Sequence, residues 1–192
     1  MSISLYLTYM VDTPHYVMRE VSMSFDVEKI VKQPWERYTV PETTVSGEFP
    51  SEPWVEDAED AEDAEGDDAD GETITLSLDE EYAGAELQFD LAVTIGQALE
   101  VASSEQLAEQ LKQELKDNEQ LETISVEPRS CGEFSGAVQH MRLRETGEFL
   151  MQWLIATPED TIFAGVTFMD QRLARVGEKF LESISVTEEE EE

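Results

Sequence analysis

The stretch from Ala137 to Ile184 constrains this chain more than any other, because it is nearly continuously apolar and regularly punctuated. Ala137 to Arg144 sets Met141 and Leu143 against His140, Arg142 and Arg144, the period of two that sends alternate side chains to opposite faces of a strand. Glu145-Thr146-Gly147-Glu148 carries hairpin-turn chemistry. Phe149 to Ala156 is then apolar at nearly every position except Gln152, and Ile162 to Met169 at nearly every position except Thr167. Strands of this kind are either covered on both faces or covered on one and occupied by a partner on the other. Asp170 is placed to cap a final helix, in which Leu173, Val176, Phe180, Leu181 and Ile184 form one apolar stripe. Three antiparallel strands and an amphipathic helix are therefore expected at the centre of a single domain.

The rest of the chain supplies elements to cover them. Ile3, Leu5, Leu7, Tyr9 and Val11 alternate with polar neighbours, Asp12-Thr13-Pro14 is a turn, and Val17, Val21, Met23 and Phe25 predict the second strand of an N-terminal hairpin. Val27 to Lys32 can make a helical turn that halts before Pro34. Four prolines (Pro34, Pro41, Pro50, Pro53) predict irregular structure up to Pro53, punctuated by Trp35, Tyr38, Phe49 and Trp54. Aromatic residues in such a segment pin it to the body of the protein or line a binding surface. Ile74, Leu76 and Leu78, a turn over Asp79 to Gly84, and Ala85, Leu87, Phe89, Leu91 and Val93 predict a second hairpin. Ser103-Ser104 then caps a helix over Ser104 to Asp117, with Leu107, Leu111 and Leu115 inward, and Ile124 and Val126 mark a short strand closed by Pro128.

Charge narrows the function. The net charge is −33, and the run Glu56 to Glu72 holds 11 acids and no base while Glu188 to Glu192 adds five more. The remaining 170 residues hold 29 acids against all 12 bases, so the folded part is itself acidic. Such a field opposes phosphate backbones and anionic membranes, which excludes nucleic acid and membrane surfaces as expected partners and favours a basic protein. Salt adaptation is the alternative origin of the acidity. The Ala-Glu-Asp repeats of residues 56–72 lack bulky apolar groups, so a disordered acidic loop is expected there, with a solvated tail at 187–192. A calcium loop fails on register: a central Gly66 puts Ala61 at the first ligand position, and a central Gly71 puts Gly66 first and Ser77 last.

No catalytic, cofactor or metal motif is present. Cys131 is the single cysteine, which fits a reducing compartment, and neither His15 nor His140 comes with a motif that would make it a nucleophile. The absence of a positive, apolar leader, a lipoprotein cysteine or a run of ~18 apolar residues leads to the expectation of a cytoplasmic protein.

The order strand, strand, helix, four strands, helix, ending in Phe180-Leu181-Glu182-Ser183-Ile184, resembles the PsbP-like superfamily with its DcrB and LpqN branches. The resemblance covers residues 73–186. It implies an α+β fold, an antiparallel β-sheet flanked by two amphipathic helices in an α/β/α sandwich; residues 1–55 lie outside the resemblance, and their hairpin and irregular segment are expected to pack on the same domain. It also implies a non-enzymatic role as subunit, adaptor or chaperone and transfers no functional residue. The expected function is a protein-binding adaptor or chaperone, with an inhibitor or immunity protein for a basic toxin or nuclease, and a small-ligand protein or enzyme, as alternatives. The candidate partner-binding residues are Trp153, Ile155, Phe163, Phe168, Trp35 and Trp54, and oligomeric state stays open.

Overall fold

The computed structural model describes residues 26–57, 72–82, 84–116 and 118–187. The N-terminal hairpin expected over Ile3 to Phe25, most of the acidic tract and the terminal glutamates lie outside the described residues. The architecture is mostly antiparallel sheet with a few helices. A short helix α1 (Val27–Lys32) leads to strands β1 (Glu36–Thr39), β2 (Val45–Phe49) and β3 (Trp54–Asp57), then β4 (Thr73–Tyr82), β5 (Ala85–Thr94) and helix α2 (Ser104–Lys116). Strands β6 (Leu121–Pro128), β7 (Ser135–Leu143), β8 (Phe149–Ala156) and β9 (Thr161–Phe168) follow, then a 3-10 turn (Gln171–Leu173), helix α3 (Ala174–Ser183) and strand β10 (Ser185–Val186). The main sheet has seven strands in the order β3-β4-β5-β9-β8-β7-β6, and a second sheet of three runs β1-β2-β10.

The apolar run 149–156 is strand β8, with β7 and β9 as its antiparallel neighbours. Asp170 accepts a hydrogen bond from Arg172 N at 2.9 Å and starts the turn into α3. The predicted stripe Leu173, Val176, Phe180, Leu181 and Ile184 is buried throughout. Helix α2 is capped by Ser103, whose Oγ accepts from Gln106 N at 3.3 Å, while Gln106 Oε1 accepts from Ala102 N at 2.9 Å.

Three expectations are corrected. The segment up to Pro53 is not irregular: it contains β1 and β2, and β3 begins directly after it, with the four prolines falling between strands rather than inside them. Glu56 and Asp57 belong to β3, an edge strand paired with β4, rather than to a loop. The second hairpin is also tighter than predicted, because β4 runs on through Asp79-Glu80-Glu81-Tyr82 and Gly84 turns the chain with φ 82°. Charged side chains are tolerated there because those strand ends project toward solvent.

Alternation along each strand divides the main sheet into two faces. Leu76, Phe89, Leu91, Ile162, Val166, Met151, Trp153 and Ile155 point to the face on which α3 packs. On that side Phe180 meets Phe89 and Phe49 at ring-centroid distances of 5.3 and 5.1 Å, so β2 and α3 close the layer together. Leu107, Ala108 and Leu111 of α2 instead pack on Val126, Ala137 and Leu154, which belong to the opposite face. The hydrophobic residues of the α3 face give roughly 1.5–3 kcal/mol each when fully buried.

Gly136 shows how tightly this core is fitted. A Cβ there would stand 2.5 Å from Arg129 O, 2.7 Å from Trp153 Nε1 and 2.9 Å from Leu154 O, two of them backbone atoms that cannot swing aside. The indole N–H of Trp153 crosses this gap to donate to Arg129 O at 3.0 Å, and the Arg129 guanidinium lies 4.4 Å from the ring centroid. Gly136→Ala should therefore lower stability by about 3 kcal/mol through overpacking and loss of the indole hydrogen bond. Urea unfolding checks this, and an unchanged midpoint would show that the Trp153 contact is not tightly held.

Candidate functional site

The face shared with α2 is covered over only part of its width. Helix α2 spans β6, β7 and β8, with Leu115 reaching the cluster of Leu121, Met141 and Leu150. Beyond β8, no described helix or strand packs on this side of β9, β5, β4 and β3. On the α3 side β9, β5 and β4 are buried, with α3 packed on β9 and β2 on β5, whereas Val55 of the edge strand β3 is 49% exposed. Among the described residues the two faces are thus unequally covered: on the α3 side the central strands are buried while the β3 edge is exposed at Val55, and on the α2 side no described helix lies over β9, β5, β4 and β3.

Register places the open residues in lines across the sheet. One line runs Val126, Gln139, Gln152, Gly165, Asp90, Ser77, Trp54, all on the α2 side of successive strands. The next runs Ala137, Leu154, Phe163, Ala92, Thr75, Glu56. The covered end of the first line is a buried amide pair, with Gln139 Nε2 donating to Gln152 Oε1 at 2.7 Å. At its open end the side chains become small or charged. A Cβ on Gly165 would meet the Phe163 ring at 2.9 Å, so that ring lies over the glycine and forms one wall. Trp54, 42% exposed, forms the other, its Nε1–H donating to Glu56 Oε1 at 2.7 Å.

Asp90 lies on the floor between these walls. It accepts a 2.9 Å hydrogen bond from Ser77 Oγ and a long 3.5 Å one from Gln88 Nε2. Burial pushes its pKa up to about 6; the negative charges of Glu56 and Asp79 add to the rise, and the Ser77 and Gln88 donors oppose it. Asp79 is raised in the same direction by burial and by Glu56. Strands β3, β4, β5 and β9 carry no lysine or arginine at all. Among the described residues no ion pair involves Asp90. A cavity of about 400 Å³ opens beside this face at Asp79, Gln88 and Thr167, and its outer rim adds Glu80, Glu81, Glu86 and Glu148.

The structure divides the six candidate residues. Phe163 and Trp54 stand on the open face. Trp153, Ile155 and Phe168 do not: at 3%, 0% and 3% exposed they point to the α3 side and form its core, so no partner can reach them. Trp35 is half-buried, edge-on to Phe89 at 5.8 Å and beneath the Lys179 ammonium at 4.1 Å. It pins the chain between α1 and the sheet, where Lys179 Nζ also donates to Val31 O and Gln33 O. Sequence reasoning did not single out Asp90, Ser77, Ala92 or Gly165. Asp90 is the one that could have been found, as a charge placed between Phe89 and Leu91.

Other reactive groups are unfavourably placed. The Cys131 thiol is buried, 3.9 Å from Ile184 O, and burial pushes its pKa up, away from the thiolate. His140 is half-buried and lies on the α3 side of β7. Among the described residues no group of three or more His, Cys, Asp or Glu is disposed to hold a metal ion. No described helix is long and apolar enough to cross a membrane.

No protein-family model matches the chain, and no curated protein matches it significantly. Solved structures superpose on it with TM-scores below 0.5. Cyanobacterial PsbP (CyanoP) from Synechocystis sp. PCC 6803 superposes with a TM-score of 0.48 at 11% identity, covering 79% of this chain and 92% of that one. The immunity protein TplEi of T6SS from Pseudomonas aeruginosa gives 0.42 at 15% identity, over 60% of this chain and 44% of that one. A Pseudomonas aeruginosa protein of unknown function gives 0.41 at 12% identity, over 73% and 87%. These likenesses concern fold alone.

The raised pKa of Asp90 sets a pH dependence. Between the ordinary carboxylate range and pH 6 the folded protein holds a proton on Asp90 that the unfolded chain releases, so this group's contribution to stability falls as pH rises through that window. Asp90→Asn removes the ionisation, and stability at pH 7 should rise by up to about 3 kcal/mol. The gain should shrink toward zero near pH 4. Urea unfolding of both proteins at the two pH values reads this directly, and equal stability at pH 7 would show that Asp90 is well solvated.

Proposed function

We propose that this chain is a non-enzymatic protein-binding adaptor or chaperone that holds its partner on the open half of the sheet. The observation that carries this reading is the asymmetry of coverage. Phe163 and Ala92, both partly exposed, form an apolar patch on strands whose other face is largely buried, and Trp54 extends it to the sheet edge. Four strands at ~4.8 Å spacing and eight residues at ~3.3 Å rise give roughly 400–500 Å² of binding surface. That lies at the small end of specific interfaces and suits a transient holder better than an obligate subunit. The acidic rim speeds encounter with basic partners.

Comparative capture tests the assignment of the face. Phe163 is partly buried over Gly165, so Phe163→Asp removes the apolar wall at a cost in stability of about 1–3 kcal/mol, and urea unfolding establishes that the variant is folded before capture. Ile124→Asp, at an exposed position on the far edge strand β6, serves as control. The expectation is a partner retained by the wild type and by Ile124→Asp and lost from Phe163→Asp. Identical capture by all three would remove the open face from consideration.

A further inference from the structure

We infer that the occupant of the open face is a basic amphipathic helix from another protein, seated beside α2 with a lysine or arginine directed at Asp90. The inference rests on the binding role proposed above and specifies the partner's chemistry.

The shape of the site argues for a helix. The four open strands leave a strip about 14 Å wide between the outer strand axes, against the ~10–12 Å diameter of a helix with its side chains. A single extended segment laid on a sheet face would bury backbone N–H and C=O groups with nothing to pair them, whereas a helix satisfies its own. The partly exposed floor is made of the short side chains Ala92 and Thr75, with Ser77 and Gly165 buried beside them, so a helix can approach closely between the Phe163 and Trp54 walls. Helix α2 already occupies the neighbouring strip on the same face, and a second helix would complete that layer.

Charge decides between candidate helices. Glu56, Asp79 and Asp90 all face the strip, and no cation on its four strands answers them. Asp90 is held by Ser77 and Gln88 in a desolvated position, where a partner's ammonium or guanidinium would supply the missing counter-charge. A second copy of this chain is disfavoured because each copy carries −33.

The probe is a synthetic leucine/lysine amphipathic helix of about 18 residues, roughly 27 Å long, titrated into the isotope-labelled full chain, with a leucine/glutamine peptide of the same pattern as control. The expected result is that the lysine peptide shifts amide resonances at Trp54, Ser77, Asp90, Phe163 and Gly165. Asp90→Asn should weaken it roughly tenfold or more, while the glutamine peptide binds far more weakly. Equal binding of both peptides on this face would overturn the basic occupant and leave the partner-binding reading intact. Shifts confined to residues 58–71 or 188–192, insensitive to Asp90→Asn, would mean that acidic tracts alone attract the peptide, and would overturn the proposal. So would contacts from residues 1–25 or from a second copy filling the strip and excluding the peptide. Failure of the partner-binding reading itself is read separately, in the capture with Phe163→Asp.

Discussion

A strand that is apolar on both faces has no stable place at a surface, and in β8 seven of eight residues are buried. Met151, Trp153 and Ile155 go under the α3 face, while Leu150 and Leu154 go under α2, so both helices are needed to bury one strand. Transfer of these side chains from water outweighs any single polar contact in the molecule. The one polar residue in the strand, Gln152, is accommodated by the amide of Gln139. That demand draws α2 to the β6–β8 end of its face. No described element covers the β9–β3 end of the same face.

The opposite face shows what full coverage requires. There, α3 is assisted by β2, whose Gly47 lets it approach so closely that a Cβ would stand 2.7 Å from the Ile184 side chain. Helix α1 is tied on from outside through Lys179 and by an ion pair between Glu28 and Arg175. No equivalent set of elements is described above Ala92, Thr75 and Ser77. The open strip also carries the least comfortable charge in the fold, a carboxylate with two neutral donors and two like-charged neighbours. Its exposed counterpart Asp170 is held in the opposite direction, below the usual carboxylate range, chiefly by its hydrogen bonds to Arg172. A cation within reach makes the difference, and at Asp90 it would have to come from outside.

Much of this architecture is legible in the sequence, and the misses have physical causes. Helix α3 and strand β8 stand out because long apolar periodicity survives any tertiary context. Strands β1, β2 and β3 were hidden because each is only four or five residues long and prolines bracket them closely enough to mask their alternation. The site was half legible for a related reason. In strands apolar at almost every position, the period of two no longer says which parity faces outward, so Phe163 and Phe168 look alike in β9 although only Phe163 is accessible. Face assignment comes from what packs above: Gly177 of α3 sits against Met151, Val166 and Phe168, and nothing in the strand itself encodes that choice. Asp90 is informative for the opposite reason, since with Glu86 and Gln88 it marks the parity of β5 that does not belong to the core.

The account depends on the two faces being differently covered, and adjacent positions on paired strands compare them directly. Ala92 on β5 lies on the open side and Ala164 on β9 on the sealed side, and the only native thiol, Cys131, is buried. Maleimide labelling of Ala92→Cys and Ala164→Cys in the native protein is the decisive measurement. The account predicts rapid modification of Ala92→Cys, slowed by a bound partner, and protection of Ala164→Cys until the protein unfolds. Protection of both cysteines to the same degree in the free protein would contradict it.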